Sequence, residues 1–291
     1  MRLKVFIVLV VTLAIFISNM GFAQPYASNV TNNIAYYVPK PGSPIILNEA
    51  EQSWKDFFFK VRVWWSDLSG DVKASSASES VDLVDDMGLG DTETNLDIVF
   101  EKRVNKRGWA GLRYTAIRHS STVTLDRDIT LPSEVDASST VTFKKGTTVD
   151  TYLKYNAVEL YYKYKIVKNW ERSGLYLLGG IRFNDAEASA TSSSSKGLYS
   201  INIPTFYLGL NGYYKLSDNL GGYLDIKGFS SANSDKTGAL FEYEVGLEFN
   251  LSDNMAIDLG YRHAEYDLTD SADNDADFTL EGLLGGLMVK F

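Results

Sequence analysis

Apolar and polar residues alternate with a period of two along most of this chain. Phe59, Val61 and Val63 fall on one face of an extended strand, whereas Lys60 and Arg62 fall on the other. The same alternation recurs in ten segments of roughly ten residues, a length typical of tilted strands that cross a membrane. We therefore predict an all-β fold, an antiparallel up-and-down β-barrel of about ten strands (about 8 to 12).

The connections between these segments are alternately short and long. Four are brief, at 105–108, 168–173, 217–219 and 252–254, and five are longer and polar, at 68–93, 119–147, 185–200, 230–237 and 268–276. Two short connections are near copies, LSDNL and LSDNM, in which Asp and Asn suit a tight turn. Short turns at one end and long loops at the other are typical of outer-membrane barrels, whose short turns face the periplasm.

A soluble barrel or sandwich is the alternative, since its strands alternate as well. Here nearly every segment has Leu, Val, Phe or Tyr on one face and Lys, Arg, Glu or Asp on the other. A soluble barrel would then have to bury the charges or expose a wide apolar belt. The chain also stops at Phe291, on the apolar face of its last segment, where an aromatic residue suits a membrane interface. The pattern favours a transmembrane barrel.

The first residues resemble an export signal. Arg2 and Lys4 precede an apolar run from Val5 to Ile17, and small residues at 21 and 23 suit cleavage before Gln24. A retained membrane anchor is the alternative, but the run is shorter than the roughly 20 residues that span a bilayer. We predict a signal peptide at 1–23, a proline-rich periplasmic tail or plug at 24–55 and the barrel at 56–291.

Composition excludes several function classes. The chain has 28 Lys and Arg against 37 Asp and Glu, a net charge of −9, which disfavours binding to nucleic-acid phosphates. It has no Cys and only two His, which excludes disulfides and thiolate metal sites and disfavours zinc catalysis. No cofactor is expected.

With these features the chain resembles Gram-negative outer-membrane β-barrel proteins over about residues 56–291. The resemblance rests on the final strand Leu287–Phe291, on an acidic segment at Val81–Leu89 and on Gly111–Tyr114. It implies an outer-membrane location, with lipid and lipopolysaccharide as surroundings. It also implies that Phe291 is the assembly signal read by the barrel-assembly machinery. It implies no particular activity.

The polar faces of the strands are expected to point into the barrel. Ten strands leave at most a narrow path, and opposite charges confined there should pair with one another. The interior is therefore predicted to be a locked network or a narrow channel. The inward charges are Lys60, Arg62, Arg103, Arg113, Glu159, Lys163, Arg182, Asp225, Lys227, Glu242, Glu244, Glu248, Asp258 and Arg262, accompanied by Asp97, Glu101 and Lys165.

A hydrolase is the alternative function. His263 shares a strand face with Glu265 and Asp267, which places an imidazole near carboxylates that could orient it as a general base. An omptin-like protease would also need an Asp pair, for which the acidic loop offers Asp82, Asp85 and Asp86. The simpler interpretation is that His263 is a polar residue just above the apolar belt.

Two loops suggest further roles. Residues 270–277 are rich in the hard oxygen ligands that Ca²⁺ and Mg²⁺ prefer, although they lack the Gly and Glu of an EF-hand. Divalent cations are therefore candidate partners, bridging to lipopolysaccharide phosphates rather than serving catalysis, and a solvated loop is the alternative. Residues 122–125 and 141–143 favour β-structure and could form a projecting hairpin with an adhesive edge.

These observations lead to one prediction of function. The chain is expected to be an integral outer-membrane barrel without enzymatic activity. It would act as an envelope structural protein, a narrow channel or a surface-contact protein. The runner-up is an omptin-like protease or a lipid-modifying outer-membrane hydrolase.

Overall fold

The computed structural model describes residues 57–90, 92–167, 173–233 and 236–291, so the predicted signal peptide and tail lie outside the described residues. No helix in these ranges is long and apolar enough to cross a membrane. The described residues form thirteen strands: β1 (Phe57–Lys73), β2 (Val81–Asp82), β3 (Glu93–Arg103), β4 (Gly108–Thr124), β5 (Ile129–Pro132), β6 (Thr140–Phe143), β7 (Thr148–Lys165), β8 (Ser173–Thr191), β9 (Lys196–Lys215), β10 (Leu220–Asn233), β11 (Lys236–Asn250), β12 (Met255–Thr269) and β13 (Asp275–Lys290).

Ten of these strands close into one antiparallel barrel. The order is β1, β3, β4 and then β7 through β13, and β13 pairs back onto β1 from Phe58↔Lys290 to Lys73↔Asp275. The backbone of Phe291 completes the seam, because its N–H donates to the carbonyl of Phe57 at 3.0 Å. The predicted fold class is confirmed.

The two near-copy turns have matching geometry, as their sequences suggest. Ser217 N–H donates to the carbonyl of Leu220 at 3.0 Å, and Ser252 N–H donates to that of Met255 at 3.2 Å. Both lie at the same end of the barrel as the turn between β3 and β4. We call the half of the barrel that carries these short turns the lower half, and the opposite half the upper half.

Two of the five predicted long loops, 185–200 and 230–237, are mostly strand, and strands extend into the other three, so the predicted strand ends were wrong. β8 continues to Thr191 and β9 begins at Lys196, so only residues 192–195 remain as a loop where 185–200 was expected. β4 likewise extends into the predicted loop 119–147, and β12 and β13 into 268–276. The strands were missed because the alternation reverses along them.

β7 shows this reversal. In the lower half, Leu160 points outward and is half exposed, whereas Glu159 points inward and is fully buried. In the upper half, Leu153 points inward and is buried, whereas Asp150 points outward and is exposed. The outside of the barrel is thus apolar in its lower half and polar in its upper half. The inside has the opposite distribution.

The inward apolar residues of the upper half form a hydrophobic core, which we call the upper core. They come from every side of the barrel, and three aromatic rings pack at its centre. Tyr155 lies 4.7 Å from Tyr266, and Tyr266 stacks on Phe278 at 4.6 Å, measured between ring centroids. The wall contributes Leu68, Val72, Ile117, Val149, Leu153, Ala186, Ala188, Ala190, Tyr199, Ile201, Ile203, Leu240, Ala264, Leu268, Ala276 and Leu280 as well.

The second of the predicted long loops, at 119–147, folds onto this core instead of projecting from the barrel; the first is the one at 68–93. Residues 122–124 belong to β4 and pair with β7, whereas 141–143 lie in β6 and pair with β5 in a small hairpin. Leu131 and Phe143 of this hairpin are buried. A Cβ at Gly197 of β9 would lie 2.7 Å from Leu131 Cβ, so the hairpin approaches the wall too closely for any larger residue there. The hairpin therefore does not project from the barrel as predicted, because burial of its apolar residues draws it onto the wall.

We expect Leu131→Ala to destabilise the packing of the hairpin. The side chain is fully buried, and truncating such a leucine costs about 2–5 kcal/mol through lost burial and the cavity left behind. Val135, in the turn of the same hairpin and 95% exposed, is the matched control, and Val135→Ala should change almost nothing. Protease cleavage between residues 126 and 147 is the measurement. Equal cleavage rates in the two variants would contradict the packing.

Candidate functional site

The interior of the lower half is a network of buried ions. Period-two alternation places one polar side chain per two residues inside each strand, and closure of the barrel brings those from opposite walls together. Nine of them are almost completely buried and connected by ion pairs, and we call them the lumen charge network. They are Arg62, Asp97, Arg113, Glu159, Arg182, Lys227, Glu242, Glu244 and Arg262.

Asp97 of β3 is one centre of this network. Its carboxylate accepts hydrogen bonds from Arg62 Nη2 at 2.6 Å, from Arg113 Nε at 2.7 Å and from Arg262 Nη1 at 3.3 Å. Thr115 Oγ1 donates a further bond at 2.9 Å. Three guanidinium groups from three strands thus share one buried carboxylate.

Glu242 of β11 is the second centre. It lies 2.7 Å from Arg182, 2.9 Å from Arg262 and 3.3 Å from both Arg113 and Lys227. Because Arg262 and Arg113 contact both Glu242 and Asp97, the two centres form one continuous network across the lumen. Charge-assisted bonds of this kind are the strong ones in a site shielded from water.

The remaining acids complete the network. Glu159 contacts Arg182, lies 3.2 Å from Lys227 and accepts a bond from Tyr207 at 3.0 Å. Glu244 contacts Arg62 and lies 3.2 Å from Arg113. Every charge of the network therefore has a partner of opposite sign, which is what burial in a low-dielectric interior requires.

The other predicted lumen residues lie nearer the short turns. Lys60 pairs with Asp258 at 3.0 Å, and Lys163 with Glu101 at 2.6 Å. Glu248 pairs with Lys290 at 2.5 Å. Asp225 accepts a long bond from Asn211 at 3.4 Å, and Arg103 binds the carbonyl of Asn105 at 3.2 Å in the adjacent turn. The polar partners Tyr207, Thr115 and Asn211 were missed, although their inward faces were readable from the same alternation.

The boundary between the ions and the upper core is sharp. The guanidinium carbon of Arg262 lies 4.5 Å from the ring centre of Trp64, whose side chain is fully buried. A cation over an aromatic face joins a charged layer to an apolar one without an unpaired charge. The lumen is thus filled by two stacked layers, first ionic and then hydrophobic.

The mouth of the upper half is covered by loops that hold one another. Arg127, which precedes β5, contacts Asp86 of the first loop through two hydrogen bonds, one of them 2.6 Å long, and reaches Glu79 at 2.9 Å. Asn274 accepts a bond from Ser75 N–H at 2.9 Å and donates one to the carbonyl of Ala137 at 3.1 Å. Three separate loops are therefore linked across the mouth.

Asp86 and Arg127 shift each other's ionisation. Partial burial of Asp86 would raise its pKa, but the hydrogen bond and charge of Arg127 outweigh this and hold the pKa below its ordinary value of 3.8. The hydrogen bond to Asp86 raises the pKa of Arg127. Both groups are therefore charged at neutral pH, and their attraction holds the second loop on the first.

The candidate hydrolase residues do not meet at the mouth. His263 and Glu265 point outward from β12, and His263 Nδ1 lies 3.0 Å from Glu281 while Nε2 lies 3.1 Å from Glu265. The imidazole is stacked on Tyr243 at 5.1 Å. Asp82 accepts bonds from the backbone N–H groups of Val84 and Asp85, which shapes its own loop. The predicted shared face is present, but it lies on the outer wall.

The acidic segment at 270–277 forms a turn stabilised from within. Asp270 Oδ1 accepts bonds from the backbone N–H groups of Ala272 at 2.8 Å and Asn274 at 3.0 Å. Among the described residues, no group of three His, Asp or Glu side chains is arranged to hold a metal ion. Asp270, the first carboxylate of the predicted cation site, instead accepts hydrogen bonds from backbone N–H groups of its own turn.

The outer surface of the barrel is apolar in its lower half. A belt of large apolar side chains surrounds the lower half, each roughly 40–70% exposed, and it includes Phe59, Val61, Trp65, Phe100, Leu112, Leu160, Tyr162, Leu177, Phe183, Phe206, Leu208, Val245, Leu247, Leu259, Leu283 and Leu287. Water does not favour a continuous apolar surface of this size, whereas the hydrocarbon of a bilayer does. The belt and the closed wall together define a membrane-spanning β-barrel with a filled interior.

Comparison with solved structures finds outer-membrane proteins of similar fold. The outer membrane protease OmpT from Escherichia coli is similar with a TM-score of 0.50 and 11% identity, over 82% of this chain and 98% of that one. Neisserial surface protein A matches with a TM-score of 0.33 and 15% identity, over 81% and 97%. The attachment invasion locus protein Ail of Yersinia pestis matches with 0.31 and 14%, over 81% and 99%.

No protein-family model and no curated protein sequence matches the chain. At 11% identity, the likeness to OmpT shows a shared fold alone. The chain has the fold of outer-membrane β-barrel proteins.

We expect Glu242→Gln to destabilise the barrel strongly. The substitution keeps the shape of the side chain but leaves four cations around it undercompensated, and breaking a buried ion pair in this way costs about 3–5 kcal/mol. Glu134→Gln is the matched control, since the Glu134–Lys196 pair is exposed and such pairs contribute at most about 1 kcal/mol. The free energy of unfolding in urea, measured in lipid vesicles, distinguishes the two. Similar losses would contradict the proposed importance of the network.

We expect contact between the first two loops to depend on the charge of Asp86. Its pKa is lowered in the folded protein, so the stabilisation is present above the ordinary pKa and is lost as the pH falls through the lowered one, below about pH 4. Asp86→Asn should therefore lower the protection of residues 126–147 against hydrogen exchange at neutral pH. The protection factor should fall to the one that the wild type shows only in acid. Asp85→Asn, an exposed neighbour, should not lower it. An effect of similar size in both variants would show that the charge of Asp86 does not hold the two loops together.

Proposed function

We propose that this chain is a sealed outer-membrane barrel without enzymatic activity, whose role lies in the surface that it presents above the membrane. The observation that carries the proposal is the filling of the interior. The lumen charge network occupies the lower half, the upper core occupies the upper half, and linked loops cover the mouth. Of the three roles expected from the sequence, envelope structural protein and surface-contact protein are supported, and a narrow channel is disfavoured.

Ion pairing is the argument against a channel. An ion crossing the lower half would have to displace Arg262 or Arg113 from the buried carboxylates with which each of them pairs. Their burial removes the water that would otherwise stabilise the separated charges. Above them, the ion would meet the upper core, most of whose inward side chains are apolar.

The wall position of His263 is the argument against a hydrolase. Both of its ring nitrogens face carboxylates, so it has no free nitrogen to accept a proton from a nucleophile. Two acids of the first loop, Asp82 and Asp86, are bound to backbone amides and to Arg127. The omptin-like alternative retains only the similarity of fold.

Location in the outer membrane of a Gram-negative bacterium is part of the proposal. The basic start and the apolar run at 5–17 support export through a signal peptide. The apolar belt supports insertion into a bilayer. Phe291 lies at the barrel seam, 63% exposed on the apolar outer face, where the barrel-assembly machinery could bind it as an assembly signal.

Conductance of the refolded protein in a planar bilayer tests this function. The wild type should show no conductance steps at neutral pH. A barrel with Glu242, Glu244 and Glu248 all changed to Gln should show steps that favour anions, because basic partners are left without acids. Stable, large openings in the wild type would overturn the sealed barrel, and cleavage of a peptide library by the wild type but not by His263→Ala would restore the hydrolase.

A further inference from the structure

The outer wall of the upper half carries a shallow cavity. Its volume is about 500 Å³, and it lies across β4, β7 and β8, above the apolar belt. The lining is almost entirely hydroxyl-bearing: Ser120, Ser121, Thr122, Asp150, Thr151, Tyr152, Ser189 and Thr191. None of these residues belongs to the lumen charge network or to the loop contacts at Arg127.

Strand register explains why the wall is concave here. Ser120, Tyr152 and Ser189 lie side by side on the three strands, so two short side chains flank one aromatic ring. Asp150 lies between Thr122 and Thr191 in the next row. Neighbouring strands lie about 4.8 Å apart and equivalent rows about 7 Å apart, so the floor measures about 10 Å by 7 Å. This area fits one or two sugar rings.

Three hydroxyl groups of the cavity, those of Ser120, Ser189 and Thr191, are available to a ligand. Ser189 is 95% buried by residue, yet its side chain faces the cavity and makes no hydrogen bond to any described residue. Ser120 and Thr191 have no such bond to the described residues either. The Ser189 hydroxyl lines the cavity and has no hydrogen bond within the described part of the chain, so it can bind a ligand that brings its own hydrogen-bonding groups.

Asp150 and Tyr152 are held in place, by contrast. Thr122 Oγ1 donates to Asp150 at 2.7 Å, and Arg118 donates to the hydroxyl of Tyr152 at 3.4 Å. The cavity therefore combines an oriented aromatic ring, a carboxylate acceptor and free hydroxyls. A sugar presents an apolar C–H face to such a ring and several hydroxyl groups to such acceptors, and a few placed polar groups around an aromatic surface give orientation.

The height of the cavity above the belt identifies the source of the sugar. Val158 of β7 lies at the upper edge of the belt, and Tyr152 lies six residues further along the same strand. Six residues span about 20 Å along a strand, or about 15 Å along the membrane normal at a tilt of about 40°. Sugars attached to the outer leaflet lie at this height, beyond the lipid head groups.

We infer that the cavity binds the sugar core of the lipopolysaccharide that surrounds the barrel. The inference rests on the proposed outer-membrane location and assigns one wall of the upper half to that glycolipid. Arg118 and Lys154, paired across β4 and β7, lie one row nearer the membrane, and Lys154 is held by Asp185 at 3.0 Å.

The test is titration of core oligosaccharide, freed of its lipid by mild acid, onto the full mature chain in lipid nanodiscs. Tyr152→Ala removes the ring, and Ser120→Trp fills the cavity from an exposed position. Ser69→Trp introduces the same bulk at an exposed outward site on β1, in the same half of the barrel but away from the cavity. Heat-dependent migration in SDS confirms that each variant is a folded barrel.

We expect Tyr152→Ala and Ser120→Trp to lower the affinity at least tenfold and Ser69→Trp to leave it unchanged. Unchanged affinity in both cavity variants would overturn the inference, and so would tighter binding of maltoheptaose than of core oligosaccharide. Absence of binding by a folded, non-conducting wild type would refute the sugar site and leave the sealed barrel intact. Conductance by a wild type that binds the sugar would refute the sealed barrel and leave the sugar site intact.

Discussion

A single strand of this barrel has to satisfy two solvents. Its lower half faces hydrocarbon outside and buried charges inside, and its upper half faces water outside and an apolar core inside. Backbone hydrogen bonding around the closed barrel runs through both halves unchanged, so only the side chains record the change of solvent. On β4 the change occurs between Thr115 and Ile117 on the inner face and between Ala116 and Arg118 on the outer face. The two faces reverse polarity at the same level.

The two fillings of the lumen follow from this constraint. In the lower half the outer face is reserved for lipid, so the inner face must carry the polar residues, and in a ten-strand barrel they are too close together to remain hydrated. They consequently pair, with Asp97 and Glu242 as centres. In the upper half water takes over the outer face, and the inner face can be apolar as in a soluble protein. The short hairpin β5–β6 and the first loop then contribute Leu131, Phe143 and Met87 to complete the upper core.

Sequence reasoning predicted what depends on local periodicity. The strand faces, the short turns and the inward direction of residues such as Arg182 and Glu242 all follow from a period of two. The ends of the strands did not, because apolar residues such as Leu153 and Tyr155 lie on the inner face there, opposite to the apolar face of the lower half. Nor does periodicity reveal which arginine meets which carboxylate, or that Arg127 reaches Asp86, since these contacts join residues that only barrel closure and loop packing bring together. The cavity at Tyr152 arises from register across three strands, which no single segment displays.

The reversal of polarity along a strand is the central claim, and accessibility scanning along β7 tests it most directly. Because the chain has no cysteine, single cysteines can be placed at the outward positions from 148 to 164 and labelled with a nitroxide. In lipid vesicles, labels at 158, 160, 162 and 164 should collide with dissolved oxygen, and labels at 148, 150, 152 and 154 with a water-soluble nickel complex. Oxygen accessibility that continues through 150 and 152, or nickel accessibility at 160 and 162, would contradict the account.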